Sequence, residues 1–189
     1  MHLMGFLEWA AVILGAIGIA ASQLFAAEVP KGFFHFGIGV IGAGIALGGL
    51  ESILTRRVGF RIHEDAGEDY SGFPAVIVGL MALLVGAVVI GSAYLHAEGH
   101  FNKVLNDLTR HPGPAMVASG LFIAGAGTLL MFGTGDSPLF IRVLKFLLGA
   151  ALLLAGLSVI ALGAWEFVQP QAFDRFVRTL PPQLHWLAR

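Results

Sequence analysis

The sequence predicts an all-α membrane protein: a bundle of five transmembrane helices followed by a short C-terminal interfacial helix. Three observations carry that expectation. First, 57% of the 189 residues are hydrophobic, only 12% are charged and the mean hydropathy is +0.82, too apolar for a soluble domain to cover with polar surface. Second, the charges fall in a few short segments between long apolar runs. Third, five of those runs are long enough to cross a hydrocarbon core of ~30 Å, which takes about 20 helical residues.

The runs are Trp9–Ala27, Phe33–Leu50, Phe73–Leu95, Ala115–Gly133 and Phe146–Trp165. Each must be helical, because backbone N–H and C=O groups in lipid have to be satisfied within the segment, and each is about twice the length of a barrel strand. The first ends in FAAE, which resembles a signal-peptidase site, but no Lys or Arg precedes it. It is therefore expected to be a retained span. The connections carry strong breakers: EVPKG at 28–32, DYSGFP at 69–74, HPGP at 111–114 and GTGDSP at 133–138. Linkers this short predict one bundle over residues 1–168 and an amphipathic tail over 169–189. In the tail Phe173, Phe176, Val177 and Leu180 recur at helical spacing, opposite Asp174, Arg175 and Arg178, and Trp186 is an aromatic anchor.

Glycine is abundant, 26 residues in all. Gly44 and Gly48 form a small-xxx-small pair, and Gly149, Gly156 and Gly163 recur at seven-residue intervals, so each span offers a strip where another backbone can approach closely. The strips can pack the chain's own helices or meet another subunit.

Five spans put the chain ends on opposite sides. Arg56, Arg57, Arg61, Arg142 and Lys145 fall on the N-terminal side, against Lys31, Lys103, Arg110, Arg175, Arg178 and Arg189 on the other, so the positive-inside count is nearly even. The Arg56-Arg57 pair at a helix end favours a cytoplasmic N-terminus. The segment TRR…EDYSGFPAVIVGL is of a kind met in small bacterial membrane proteins, which places the expectation in a bacterial inner membrane.

Residues 51–72 are the most polar stretch and are expected to form a solvated loop. Glu51 ends an apolar run, a costly depth for a carboxylate unless it snorkels or is paired, and Arg56 and Arg57 are its expected interfacial ion-pair partners. Five of the seven histidines gather at the opposite face. In YLHAEGH, His96 and His100 would share one side of a continuing helix, and His35 could supply a third ligand from another. With no cysteine in the chain, such a site would hold copper, zinc or non-haem iron, or a haem between His35 and His96. Against it, Gly99 threatens the helical spacing, and the glutamate is out of place for a zinc-protease motif.

No nucleophile elbow, phosphate loop or dinucleotide fingerprint is present, so no catalytic residue and no enzyme activity are assigned. No basic face suits nucleic acid. By elimination the expected function is a small accessory or scaffold subunit of a larger membrane complex, with the lipid bilayer and other membrane subunits as partners. The alternatives are a metal- or haem-binding redox subunit and a small transporter or channel.

Overall fold

A chain that cannot hydrogen-bond to lipid must close its own backbone, and long apolar segments here do so as helices. The computed structural model describes residues 3–25, 30, 32–60, 68–132 and 138–179. Among these residues seven helices form in order: α1 (Leu3–Leu24), α2 (Gly32–Thr55), α3 (Phe73–Ala97), α4 (Phe101–Arg110), α5 (Gly113–Phe132), α6 (Leu139–Val168) and α7 (Pro170–Val177). Five of them, α1, α2, α3, α5 and α6, are long and apolar enough to span a membrane. These are the five expected spans, and α7 is the expected short C-terminal helix. His2, Glu28, Lys31, Arg61, His63, Glu64, Asp65, the turn at 133–137 and the tail from Leu180, with His185, Trp186 and Arg189, lie outside the described residues.

Several elements differ from the expected boundaries. α2 runs on through Glu51 to Thr55 and stops where Arg56 takes a left-handed φ of 51°. α6 extends to 30 residues and carries Arg142 and Lys145 in its first turns, where long basic side chains can keep their charge at the boundary. The polar stretch after α2 is not loop throughout: β1 (Arg57–Phe60) pairs antiparallel with β2 (Glu68–Ser71), Arg57 opposite Ser71 and Val58 opposite Tyr70. Val58 and Tyr70 are good strand formers, and the local polarity that marked this stretch conceals them. The amphipathic helix α4 was not expected at all.

The chain divides into two compact units, Met1–Phe101 and Asn102–Arg189. This is a different partition from one at residue 168, because α7 packs on α6 inside the second unit. In the first unit α2 is the central helix, packing against both α1 and α3. It does so through glycine on two faces. A Cβ built on Gly37 would lie 2.7 Å from the Gly15 carbonyl oxygen, and one on Gly44 would lie 3.1 Å from Ala11 Cβ, both on α1. On the α3 side, a Cβ on Gly49 would meet the Gly79 oxygen at 2.6 Å and one on Gly86 would meet the Gly42 oxygen at 2.7 Å.

The second unit repeats the device. Gly113, Gly120 and Gly127 of α5 face Gly163, Gly156 and Gly149 of α6 in antiparallel order. A Cβ on Gly163 would meet the Gly113 oxygen at 2.7 Å, and one on Gly149 the Gly127 oxygen at 2.6 Å. The strips expected at Gly44, Gly48, Gly149, Gly156 and Gly163 are therefore occupied by the chain's own helices. At the end of α6, α7 buries Phe173 and Val177, each 1% exposed, and Trp165 sets its ring edge-on to Phe173 at 6.0 Å.

Replacing Gly156 by leucine should place a side chain against the Gly120 carbonyl and the Ala124 backbone, neither of which can rotate away. The expected loss is at least about 1–3 kcal/mol, the ordinary range for overpacking, read as a lower Tm in detergent. Gly39 has nothing within 4 Å of a built Cβ, so Gly39→Leu should leave the Tm nearly unchanged.

Candidate functional site

Helices α1 and α2 run antiparallel, so the start of α1 and the end of α2 meet at one membrane face. There the side chains of Glu8 on α1 and Glu51 on α2 come together. Gly48 makes the contact possible: a Cβ there would stand 3.0 Å from Glu8 Cδ. One turn on, Ser52 is buried and donates its Oγ–H to the Gly48 carbonyl at 2.8 Å, leaving the carboxyl pair undisturbed.

The pair sits in a cleft of about 610 Å³ between α1, α2 and α3. Its walls are mainly apolar, with Trp9, Val12, Ile45 and Val78 among the lining side chains and Arg57 beside them. This volume is within the range of small-ligand sites, roughly 300–1,000 Å³, and so is the pattern of apolar walls with a few convergent polar groups. Among the described residues no ion pair joins Glu51 to Arg56 or Arg57. The extension of α2 explains the difference: Glu51 lies a full turn inside the helix and finds Glu8, while both arginines fall past the helix end and are exposed.

At the other end of the same unit, His35 of α2 and His96 of α3 do come together. Their Nε2 and Nδ1 atoms are 3.0 Å apart and their rings stack at 4.9 Å between centroids, with Phe34 and Phe101 alongside. His100 does not join them on a shared helical side. α3 ends at Ala97, Gly99 adopts a φ of 71°, the Gly99 N–H donates to His96 O at 3.2 Å and the His100 N–H to Leu95 O at 2.9 Å. Those two bonds are the Schellman helix stop. YLHAEGH is therefore a C-cap, and among the described residues no group of three His, Asp or Glu side chains is arranged to hold a metal ion.

In the second unit one acidic side chain among the described residues is buried. Glu166, 3% exposed near the end of α6, accepts the Gly113 N–H at 3.0 Å and stands 3.4 Å from His111 Nδ1. Gly113 opens α5, so the carboxylate satisfies one of the N–H groups that a helix start leaves without an intrahelical partner, and it sits at the positive end of the helix dipole.

No protein-family model, no curated protein and no solved structure matches this chain. The site must therefore be judged on its own chemistry.

Sequence reasoning named Glu51 and missed its partner. Glu8 stands one residue ahead of the apolar run that begins at Trp9, and it reads as a polar flank. A signal was present: antiparallel neighbours put the first turn of one span beside the last turn of the next, so two acidic residues in those places are expected to meet.

Glu166→Ala should leave the Gly113 N–H buried without a partner, lowering the stability of the α5–α6 hairpin by about 1–3 kcal/mol. Glu166→Gln keeps an acceptor oxygen and should recover most of that loss in a thermal melt. An alanine variant that melts like the wild type would show that the bond contributes nothing.

Proposed function

We propose that the Glu8 and Glu51 carboxyl groups share a proton, that the α1–α2–α3 unit binds a lipophilic organic cation at this pair in exchange for it, and that the chain works as a small membrane transporter for such cations. One observation carries this reading: two carboxyl groups in direct contact, at membrane-span ends, inside an apolar cleft of ligand size. Ionisable groups within spans are costly, and they mark ion, proton or substrate sites more often than packing.

The chemistry selects the class of ligand. A small metal ion would have to trade its hydration shell for two carboxyls and walls of valine and isoleucine. An organic cation keeps its charge on the carboxyls while its apolar body covers those walls, and the Trp9 indole adds a face for cation–π contact. Proton and cation compete for the same oxygens, so binding of one weakens binding of the other by the same factor.

The accessory-subunit expectation leaned on spare glycine strips, and the strips it named are closed within the chain. The redox expectation took two forms: a metal held by His35, His96 and His100, against which the helix stop turns the chain away before His100, and a haem between His35 and His96, whose ring nitrogens instead meet each other directly at 3.0 Å with no gap for an iron. Neither has an observation of comparable weight.

Tetraphenylphosphonium binding to the purified protein in nanodiscs, followed by calorimetry and by tryptophan fluorescence, tests the proposal. Saturable binding is expected, tightening as pH rises because protons are the competitor. Glu8→Gln and Glu51→Gln should each weaken it at least about tenfold, roughly 1.4 kcal/mol. Absence of saturable binding, or unchanged binding in both variants, overturns the proposal. Stoichiometric co-purification of other membrane proteins would return the argument to the accessory subunit.

A further inference from the structure

Within its own unit, helix α4 (Phe101–Arg110) packs against none of α5, α6 and α7; it has no buried residue, and only the Phe101 ring at its start touches the end of α3, at His96. Its sequence, FNKVLNDLTR, divides cleanly around the helix. Phe101, Val104, Leu105 and Leu108 fall within one side, at the i, i+3, i+4, i+7 spacing of an apolar stripe, and Asn102, Lys103, Asn106, Asp107 and Arg110 cover the other. Leu105 is 49% exposed. The contrast with α7 is informative. That helix is equally amphipathic, but Phe173 and Val177 are covered by its own chain.

The flanking segments say what covers α4. Three residues, Glu98–His100, join it to the end of the α3 span, and two, His111 and Pro112, join it to the start of α5. At no more than ~3.6 Å per extended step, these connectors hold both ends of α4 within roughly 11–14 Å of a span end. The helix is thereby confined to the membrane–water boundary. We infer that α4 is a membrane-surface helix, its Phe101–Val104–Leu105–Leu108 side seated in the headgroup and acyl boundary of the bilayer that the chain spans. The occupant of the apolar side is lipid, not a protein partner.

The polar side fits that position. Lys103, Asp107 and Arg110 follow one another along it as positive, negative and positive charge, a pattern able to pair with both the phosphate and the ammonium of a zwitterionic headgroup. The basic stems can also lie along apolar surface while their charges stay in water. Seating of this kind places the apolar side about 5–10 Å into the interface.

The chain has no cysteine, so single spin labels can be placed on the full-length protein without removing native thiols. Labels at Leu105→Cys and Leu108→Cys, with Asn106→Cys as the opposite side, would be read in phosphatidylcholine nanodiscs. Relative accessibility to dissolved oxygen and to a water-soluble nickel chelate is the measure. The oxygen-to-nickel ratio should be several-fold higher at Leu105 and Leu108 than at Asn106. Equal, nickel-dominated access at all three positions would place α4 in water and overturn the inference. Labels at 105 and 108 shielded from both reagents would mean that protein covers the stripe, and would overturn it as well. Using two apolar positions keeps the result decisive should one variant fail to fold.

Discussion

Where two spans approach each other, a glycine on one lies against a backbone carbonyl on the next, and often the reverse holds at the same level. Gly15 and Gly37, Gly49 and Gly79, and Gly127 and Gly149 are mutual pairs of this kind, with carbonyl oxygens 2.5–2.7 Å from where each Cβ would be. Lipid tails are as apolar as leucine, so burying leucine between helices brings no hydrophobic gain inside a membrane. What remains is dispersion at close range and weak Cα–H···O contacts, both available only when backbones come together. Removing the side chain is the means of achieving that approach.

The seven-residue rhythm turns this local contact into a register. Two turns of helix return a glycine to nearly the same side, with a drift of about 20° per step. Gly113, Gly120 and Gly127 therefore mesh with Gly163, Gly156 and Gly149 as a ladder, and a slip of α6 by one residue would set Leu148 and Leu162, or in the other direction Leu157, against the facing backbone. α2 carries two such rows, Gly37 and Gly44 toward α1 and Gly42 and Gly49 toward α3. Fixing α2 against both neighbours also fixes what its ends carry. Glu51 arrives opposite Glu8, Gly48 leaves room for the Glu8 carboxyl, and His35 arrives opposite His96. The polar contacts of the first unit thus follow from the glycine register.

The spans were legible in the sequence because lipid imposes a length and an apolar content that few other contexts demand, and Gly149, Gly156 and Gly163 showed one row of the ladder by spacing alone. The facing row, Gly113, Gly120 and Gly127, has the same spacing, but it begins in a breaker, HPGP, and so reads as a turn followed by scattered glycines. α4 was hidden for a related reason. Ten residues with a strong apolar side but a polar average do not register as a span, and between His-rich flanks they read as loop. His96 and His100 show the opposite error, in which an attractive spacing is undone by one residue. Gly99 can take a positive φ at no steric cost, and the helix ends there. The carboxyl pair was half visible, since nothing in α2 by itself distinguishes a glutamate that meets an arginine from one that meets another glutamate.

The two polar contacts of the first unit lie at opposite ends of α2, about 24 Å apart at 1.5 Å of rise per residue. Between His35 and Glu51 that helix contains only apolar residues and glycine, and α1 from Trp9 to Ala21 and α3 from Val76 to Gly91 are equally bare. A fixed aqueous pore through these three helices would have to hydrate some 20 Å of valine, isoleucine and alanine, with no side chain to hold water or ion along the way. The carboxyl pair instead offers a binding position near one face and nothing to pass a charge along. On the proposed function this distribution argues for a carrier over a channel: a cation neutralised by Glu8 and Glu51 travels only if the helices rearrange around it. The glycine contacts limit that rearrangement: the Ile41, Ile19 and Ile53 side chains seat beside Gly15, Gly37 and Gly79, so the spans can move only in ways that keep these contacts in register.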